Sequence, residues 1–202
     1  MTITEYDGLS FETTREVYEP REDSFLLAEA VRKHARGKVL DVGTGSGIQA
    51  IVAARKNEVV LAVGTDRNAG AIECARANAE LGGVGDKTEF MAVDLFPKTK
   101  ERFDTVCFNP PYLPTQENEK VKGEYNKALD GGKNGRRETE RFLDGFEEHL
   151  EEDGVVLLLQ SSLSDKGETE KVLKEKGFGV EKVAARKFGD GEEIFVLKAE
   201  KE

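Results

Sequence analysis

Asn109-Pro110-Pro111-Tyr112, just past the apolar run Phe103–Phe108, is the stretch whose residue types and order point most directly to chemistry. Two consecutive prolines cannot continue a helix or a strand ladder, so they fix an extended turn at a strand end. A planar NH2 group is a poor nucleophile because its lone pair is delocalised. An acceptor pair, the Asn109 side-chain oxygen and the Pro110 carbonyl, can hold both of its N–H bonds and leave the lone pair facing an electrophile. Tyr112 can stack on the planar group. Catalysis by such a loop rests on orientation and charge rather than on a strong base.

A second stretch, Asp41-Val42-Gly43-Thr44-Gly45-Ser46-Gly47, follows an apolar run and leads into a helical pattern. Glycines there allow a tight turn and close approach of backbone to ligand. Ile48 stands where a dinucleotide fingerprint would place its last glycine, and the Asp41 carboxylate would repel a diphosphate. A ligand with a cationic amino-acid end fits better. Asp66 closes the next apolar run and can take two ribose hydroxyls. Asp94 closes the one after it and can accept from an adenine amine, with Leu95 beside the ring. Each acid alone reads as a helix cap; three at consecutive strand ends beside a glycine loop match the parts of S-adenosyl-L-methionine.

These residues must be held by elements that the periodicity predicts. Strands are expected at Lys38–Val42, Val59–Thr65, Thr88–Val93, Phe103–Phe108 and Val155–Gln160, and a final pair at Phe178–Ala185 and Glu193–Ala199. Helices are expected from about Gly47 to Lys56, over Asn68–Leu81, over Glu138–Leu150 with Phe142, Phe146 and Leu150 as its apolar stripe, and over Asp165–Lys176. Alternating strands and helices predict a seven-stranded, mostly parallel α/β sheet of Rossmann-like layout, with helices on both faces and a C-terminal antiparallel strand pair. Ligands of such sheets lie at the carboxyl ends of the strands, near the switch point. We expect one domain over 1–202, with residues 1–37 as a cofactor-covering segment and helix and 38–202 as the catalytic core.

The 202 residues carry 30 Lys+Arg against 40 Asp+Glu, a net −10, with 38% hydrophobic content. That balance supports a folded core and argues against gripping duplex DNA with the whole surface. The longest aliphatic run is Val155–Leu159, far short of a membrane span. Cys74 and Cys107 cannot build a disulfide framework, and no zinc-ligand spacing exists, so no metal is expected. A cytoplasmic, reduced protein is the reading. Within the acidic whole, Lys120–Arg141 holds seven basic residues against four acidic ones. This is either a solvated loop and helix start or a substrate-facing rim to which Pro111, Lys133, Arg136 and Arg137 would belong.

The glycine loop with Asn109-Pro-Pro-Tyr112 resembles the class I methyltransferases that modify exocyclic or amide nitrogens. Adding Val17-Tyr18-Glu19-Pro20-Arg21-Glu22-Asp23-Ser24 and Gly131-Gly132-Lys133-Asn134-Gly135-Arg136, the chain is similar to the archaeal and eukaryotic short branch of the HemK-type glutamine methyltransferases. The resemblance implies methylation of the glutamine amide in the GGQ motif of a class 1 translation release factor. It makes Asn109, Pro110 and Tyr112 the amide-binding loop. Asp41, Gly43, Gly45, Gly47, Asp66, Asp94, Leu95 and Asn109 would line the cofactor, and Tyr18–Ser24 would close over its methionine end. It further implies a small zinc-binding activator protein docked along the edge strand Thr88–Val93, where Phe90 and Val93 would be partly exposed. The competing reading is methylation of an adenine or guanine amine in RNA or DNA by the same loop on a flipped base. The acidic bulk and the absence of a target-recognition domain disfavour nucleic acid as the primary substrate.

Overall fold

The computed structural model describes residues 1–115, 123, 128–189 and 191–202. The chain opens with a hairpin, β1 (Thr2–Tyr6) and β2 (Leu9–Thr13), then α1 (Glu22–His34). The core follows: β3 (Gly37–Val42), α2 (Ile48–Ala54), β4 (Val59–Asp66), α3 (Ala69–Leu81), β5 (Thr88–Ala92) and β6 (Phe103–Phe108). After the 109–136 region come α4 (Arg137–Gly145), β7 (Leu150–Ser161), α5 (Lys166–Glu175), β8 (Phe178–Lys187) and β9 (Glu193–Lys201). The seven-stranded sheet has the order β5-β4-β3-β6-β7-β9-β8. It is parallel from β5 to β7 and antiparallel at β7–β9 and β9–β8. This is the Rossmann-like arrangement expected from the alternating pattern.

Side-chain alternation builds the two faces. Val39, Val155, Leu157 and Leu159 point into one buried cluster with α1, α2 and α3. Their neighbours Leu40, Val156 and Leu158 point into the other, with Phe142 of α4 and Leu173 of α5. Because successive strand residues face opposite ways, a strand covered on both faces must be apolar throughout, as these are. Chain order reverses between β3 and β6, so the carboxyl ends of these two strands flank the switch-point crevice. One ends in Asp41-Val42 and the other runs into Asn109.

Two elements differ from the sequence expectation. The stripe Phe142, Phe146, Leu150 spans an α-helix only to Gly145; Phe146–His149 is a single 3-10 turn and Leu150 already belongs to β7. Gly145 lies against the Phe96 ring, and Leu150 pairs with Phe103 before a register shift that bulges residues 151–154. The N-terminal hairpin was not expected. Its turn is Asp7-Gly8, both at positive φ (51° and 73°), the conformation favoured in two-residue hairpin loops. The buried Asn78 of α3 anchors it, accepting from the Glu12 N–H at 2.9 Å and donating to the Glu12 carbonyl at 3.0 Å. The hairpin thereby delivers residues 14–21 across the carboxyl ends of the strands.

Strand β5 is the sheet edge, as expected, but Phe90 is buried, not partly exposed. Its ring faces the α3 side, in the same cluster as Ile72, Ala75 and Ala79. Val93 is half-buried. Among the described residues no helix is long and apolar enough to cross a membrane.

Candidate active site

One cavity opens over the carboxyl ends of β3, β4 and β6, bounded on one side by residues 16–18, 23 and 24. Tyr18, Ser24, Asp41, Gly43, Gly45, Asp66, Asp94, Leu95, Asn109, Pro110, Pro111 and Tyr112 all line it. Gly47 does not. It is the residue capping α2, held at φ 86°, and a Cβ there would meet Ala75 of α3 at 3.0 Å. Its glycine serves the turn and the helix contact rather than the ligand.

Asp41 is almost fully buried at the end of β3. Its Oδ2 accepts from the Thr44 hydroxyl at 2.6 Å and the Ala50 N–H at 3.2 Å. Burial nevertheless pushes its carboxyl up to about 7. Asp66 ties the glycine loop to β4, with Oδ2 accepting from the Gly45 N–H at 3.0 Å and Oδ1 from the Asn68 N–H at 2.9 Å. Asp94 is gripped by Arg141 of α4 at 2.7 Å, and that hydrogen bond holds its carboxyl below the usual range. Leu95 adopts φ 60° while its carbonyl accepts from the Thr65 hydroxyl at 2.6 Å. A non-glycine residue there carries strain of order 1–2 kcal/mol, kept at the point where the cavity wall is shaped.

Asn109 Nδ2 donates to Asp23 Oδ2 at 3.0 Å, while its Oδ1 is buried without a partner. Burial, then the nearby Asp23 charge, pushes the Tyr112 hydroxyl well up, so it stays protonated. Behind this loop sits the glycine-rich segment. The Gly131 N–H donates to the Leu113 carbonyl at 3.1 Å, and a Cβ on Gly135 would strike the Tyr112 carbonyl. Glycines at 131 and 135 therefore let a second strip of backbone buttress Asn109–Leu113.

Arg136 is not a rim residue. It is 4% exposed, and its Nη1 donates to the carbonyls of Ser164 and Asp165 (both 2.7 Å) and to the Thr169 hydroxyl (2.8 Å). It pins the start of α4 to the turn before α5. Lys133 is exposed, and Arg137 is partly exposed and paired with Asp130 and Glu138; neither lines the cavity. Lys120, Lys122 and Lys127 lie outside the described residues.

Sequence reasoning missed three cavity residues. Asp23 lies in the Tyr18–Ser24 segment expected over the methionine end, but its contact with Asn109 has no signal in the sequence. Gln49 donates through Nε2 to the Ser24 carbonyl at 3.0 Å, and its Oε1 is buried without a partner. Glu138 is a buried carboxylate facing Arg141 (2.7 Å), Arg137 (3.0 Å) and Arg67 (3.9 Å). No local spacing marks any of them. The cavity thus gathers several carboxylates and two unpartnered carboxamide oxygens, which suits a ligand with N–H and O–H donors and positive charge.

Residues 19–125 match the methyltransferase small domain family. A protein of Methanocaldococcus jannaschii, provisionally named a protein N5-glutamine methyltransferase, is 41% identical over 197 residues, covering 98% of each chain. Methyltransferase HEMK2 of Homo sapiens is 31% identical over 191 residues, covering 91% of this chain and 89% of its own. The solved E. cuniculi Mtq2-Trm112 complex, described as responsible for methylation of the eRF1 translation termination factor, superposes with a TM-score of 0.71. It is 28% identical and covers 93% of this chain and 99% of that one.

Proposed function

The chain belongs to the methyltransferase small domain family, and from that membership we propose that it methylates the glutamine side-chain amide of the GGQ motif in a class 1 translation release factor, with S-adenosyl-L-methionine as methyl donor. The observation that carries this reading is the Asn109 carboxamide. It is held by its nitrogen, and its oxygen is buried, unpartnered and set in the cavity wall. A buried carbonyl with no partner is costly, by about 1–3 kcal/mol, unless a ligand completes it.

The donor, when bound, supplies a methyl group on a positively charged sulfonium. Asn109 Oδ1 and the Pro110 carbonyl accept the two N–H bonds of the incoming amide and turn its nitrogen lone pair toward that methyl. Tyr112, protonated and half-buried, flanks the amide plane. Asp41 and Asp66 hold the amino-acid and ribose ends of the donor, while Asp94 and Leu95 flank the adenine. Tyr18–Ser24 cover the methionine end. Orientation carries the rate, and the proton displaced from the amide nitrogen would leave to solvent by way of the Asn109 and Pro110 acceptors.

The edge strand β5, with its Phe90 carbonyl held by Arg76 at 2.7 Å, is where a small zinc-binding activator would dock, as an open edge invites an added strand. Trm112 accompanies the solved E. cuniculi relative. The working compartment is the cytoplasm, where release factors act. The test is transfer of labelled methyl to a release factor in GGQ and GGA forms, with and without the small partner. Label on the GGQ form only is expected. Label on neither form, with donor binding intact, overturns the reading and makes nucleic-acid amines the next substrates to try.

A further inference from the structure

Three buried side-chain polar atoms among the described residues lack a hydrogen-bond partner: Gln49 Oε1, Asn109 Oδ1 and His149 Nδ1. Gln49 and Asn109 line the same cavity. Both carboxamides are pinned through nitrogen to consecutive residues at the start of α1, Asn109 to the Asp23 side chain and Gln49 to the Ser24 carbonyl, each at 3.0 Å.

A carboxamide has a donor end and an acceptor end of nearly equal shape, and its last torsion is two-fold. Nothing local to a strand end decides which end faces a ligand. For Asn109 the choice matters, because its NH2 turned toward a substrate NH2 would set donor against donor. A carboxylate resolves the choice, since it only accepts. Asp23 is itself fixed: it is 6% exposed, and its Oδ1 accepts from the Tyr18 hydroxyl and from Ser24 Oγ, both at 3.3 Å.

We propose that Asp23 is a positioning residue for methyl transfer, holding the Asn109 carboxamide so that its oxygen faces the acceptor amide. The proposal rests on the amide-methylation reading and adds the group that gives the loop its polarity. The element supplying it lies 86 residues upstream. The amide-binding loop is therefore ready only when the segment covering the donor is seated, which couples the two halves of the site.

The experiment uses the full chain with its activator and a GGQ release factor. Asp23→Leu removes the acceptor and keeps the branching at Cγ, with some added bulk. The single-turnover rate at saturating donor should fall about 10- to 100-fold, the span expected for a hydrogen bond to a charged group, and by more than the donor Kd rises. A raised Kd with an unchanged rate at saturation would make Asp23 a donor ligand and overturn the proposal. A polarity swap guards against simple misfolding. Asn109→Asp alone sets two carboxylates face to face; adding Asp23→Asn restores a donor–acceptor pair and leaves an oxygen toward the cavity. The double variant should be at least tenfold faster than Asn109→Asp, and equal rates overturn the proposal. The Asn109 NH2 resonances read the contact without turnover. Protection from exchange in the wild type that is lost in Asp23→Leu supports the proposal, and no protection in the wild type overturns it. Failure of the wild type to methylate the release factor, with that protection present, counts against the substrate reading alone.

Discussion

Binding of S-adenosyl-L-methionine should tighten as pH rises from 5.5 to 7, and Asp41 is the reason. Its carboxyl is held at about 7 by burial, against the opposing pull of Thr44 and Ala50. An ammonium group entering beside it selects the ionised form, so binding must release the proton that the unliganded carboxyl carries. With half-ionisation near 7, about 3% of molecules present the carboxylate at pH 5.5 and about half at pH 7, so Kd should fall roughly 15-fold. The ligand's own α-amino group titrates at about 7.7–8.0, so its charge stays nearly constant across this window. Calorimetry in two buffers of different ionisation enthalpy should read close to one proton released at pH 5.5 and about half of one at pH 7. Asp41→Asn should abolish both the slope and the release. A flat Kd in the wild type, or a slope that survives Asp41→Asn, would refute the placement of the donor's ammonium beside Asp41. The same burial opposes the unliganded fold. Unfolded, the carboxyl ionises near 4; the stability it contributes is full below that and lost as pH rises through 7. The difference amounts to roughly 4 kcal/mol as an upper bound. Asp41→Asn should therefore raise the Tm of the unliganded protein at pH 8 and change it little at pH 4.

Asp66→Ala removes the acceptor for the Gly45 and Asn68 N–H groups as well as the expected ribose contact, so donor Kd should rise about tenfold with a modest fall in Tm. Unchanged affinity by calorimetry would show the ribose to lie elsewhere. Arg136→Ala leaves the Ser164 and Asp165 carbonyls and the Thr169 hydroxyl short of their donor, and urea unfolding should show a loss of about 2–4 kcal/mol. A stable variant with a raised KM for the release factor would return Arg136 to the substrate rim.

The core strands were legible because strands covered on both faces are written as unbroken apolar runs, and the glycine loop because its backbone demands leave few residue choices. The hairpin carried a signal too, Asp7-Gly8, but β1 lacks a clean alternation; Leu9, Phe11 and Thr13 of β2 are buried, while β1 adds the half-buried Tyr6. What stayed hidden depends on contacts distant in sequence. Arg136 sits in a basic run and reads as surface, yet its acceptors come from residues 164–169, which no window around 136 contains. Phe90 reads as half-exposed on an edge strand because an edge is open in the hydrogen-bonding direction, whereas its ring points across the sheet to α3.

The acids of the cavity do not act alike, and their partners explain why a protein of net −10 can still direct its negative character. Glu138 faces three guanidinium groups and Asp94 is paired with Arg141, so the charge on the adenine side is largely answered. On the other side, among the described residues, Asp23 receives neutral donors, the Tyr18 and Ser24 hydroxyls and the Asn109 amide, and Asp41 receives Thr44, Ala50 and the weak Cys107 thiol. Negative potential therefore gathers where a methionine ammonium and sulfonium would lie. Loss of the sulfonium charge on methyl transfer weakens that attraction, so the same carboxylates that favour the donor favour release of what remains. On the proposed reading such a site needs no strong base: Asn109, held by Asp23, would orient the nucleophile, and the acids without a cationic partner would favour the charged donor.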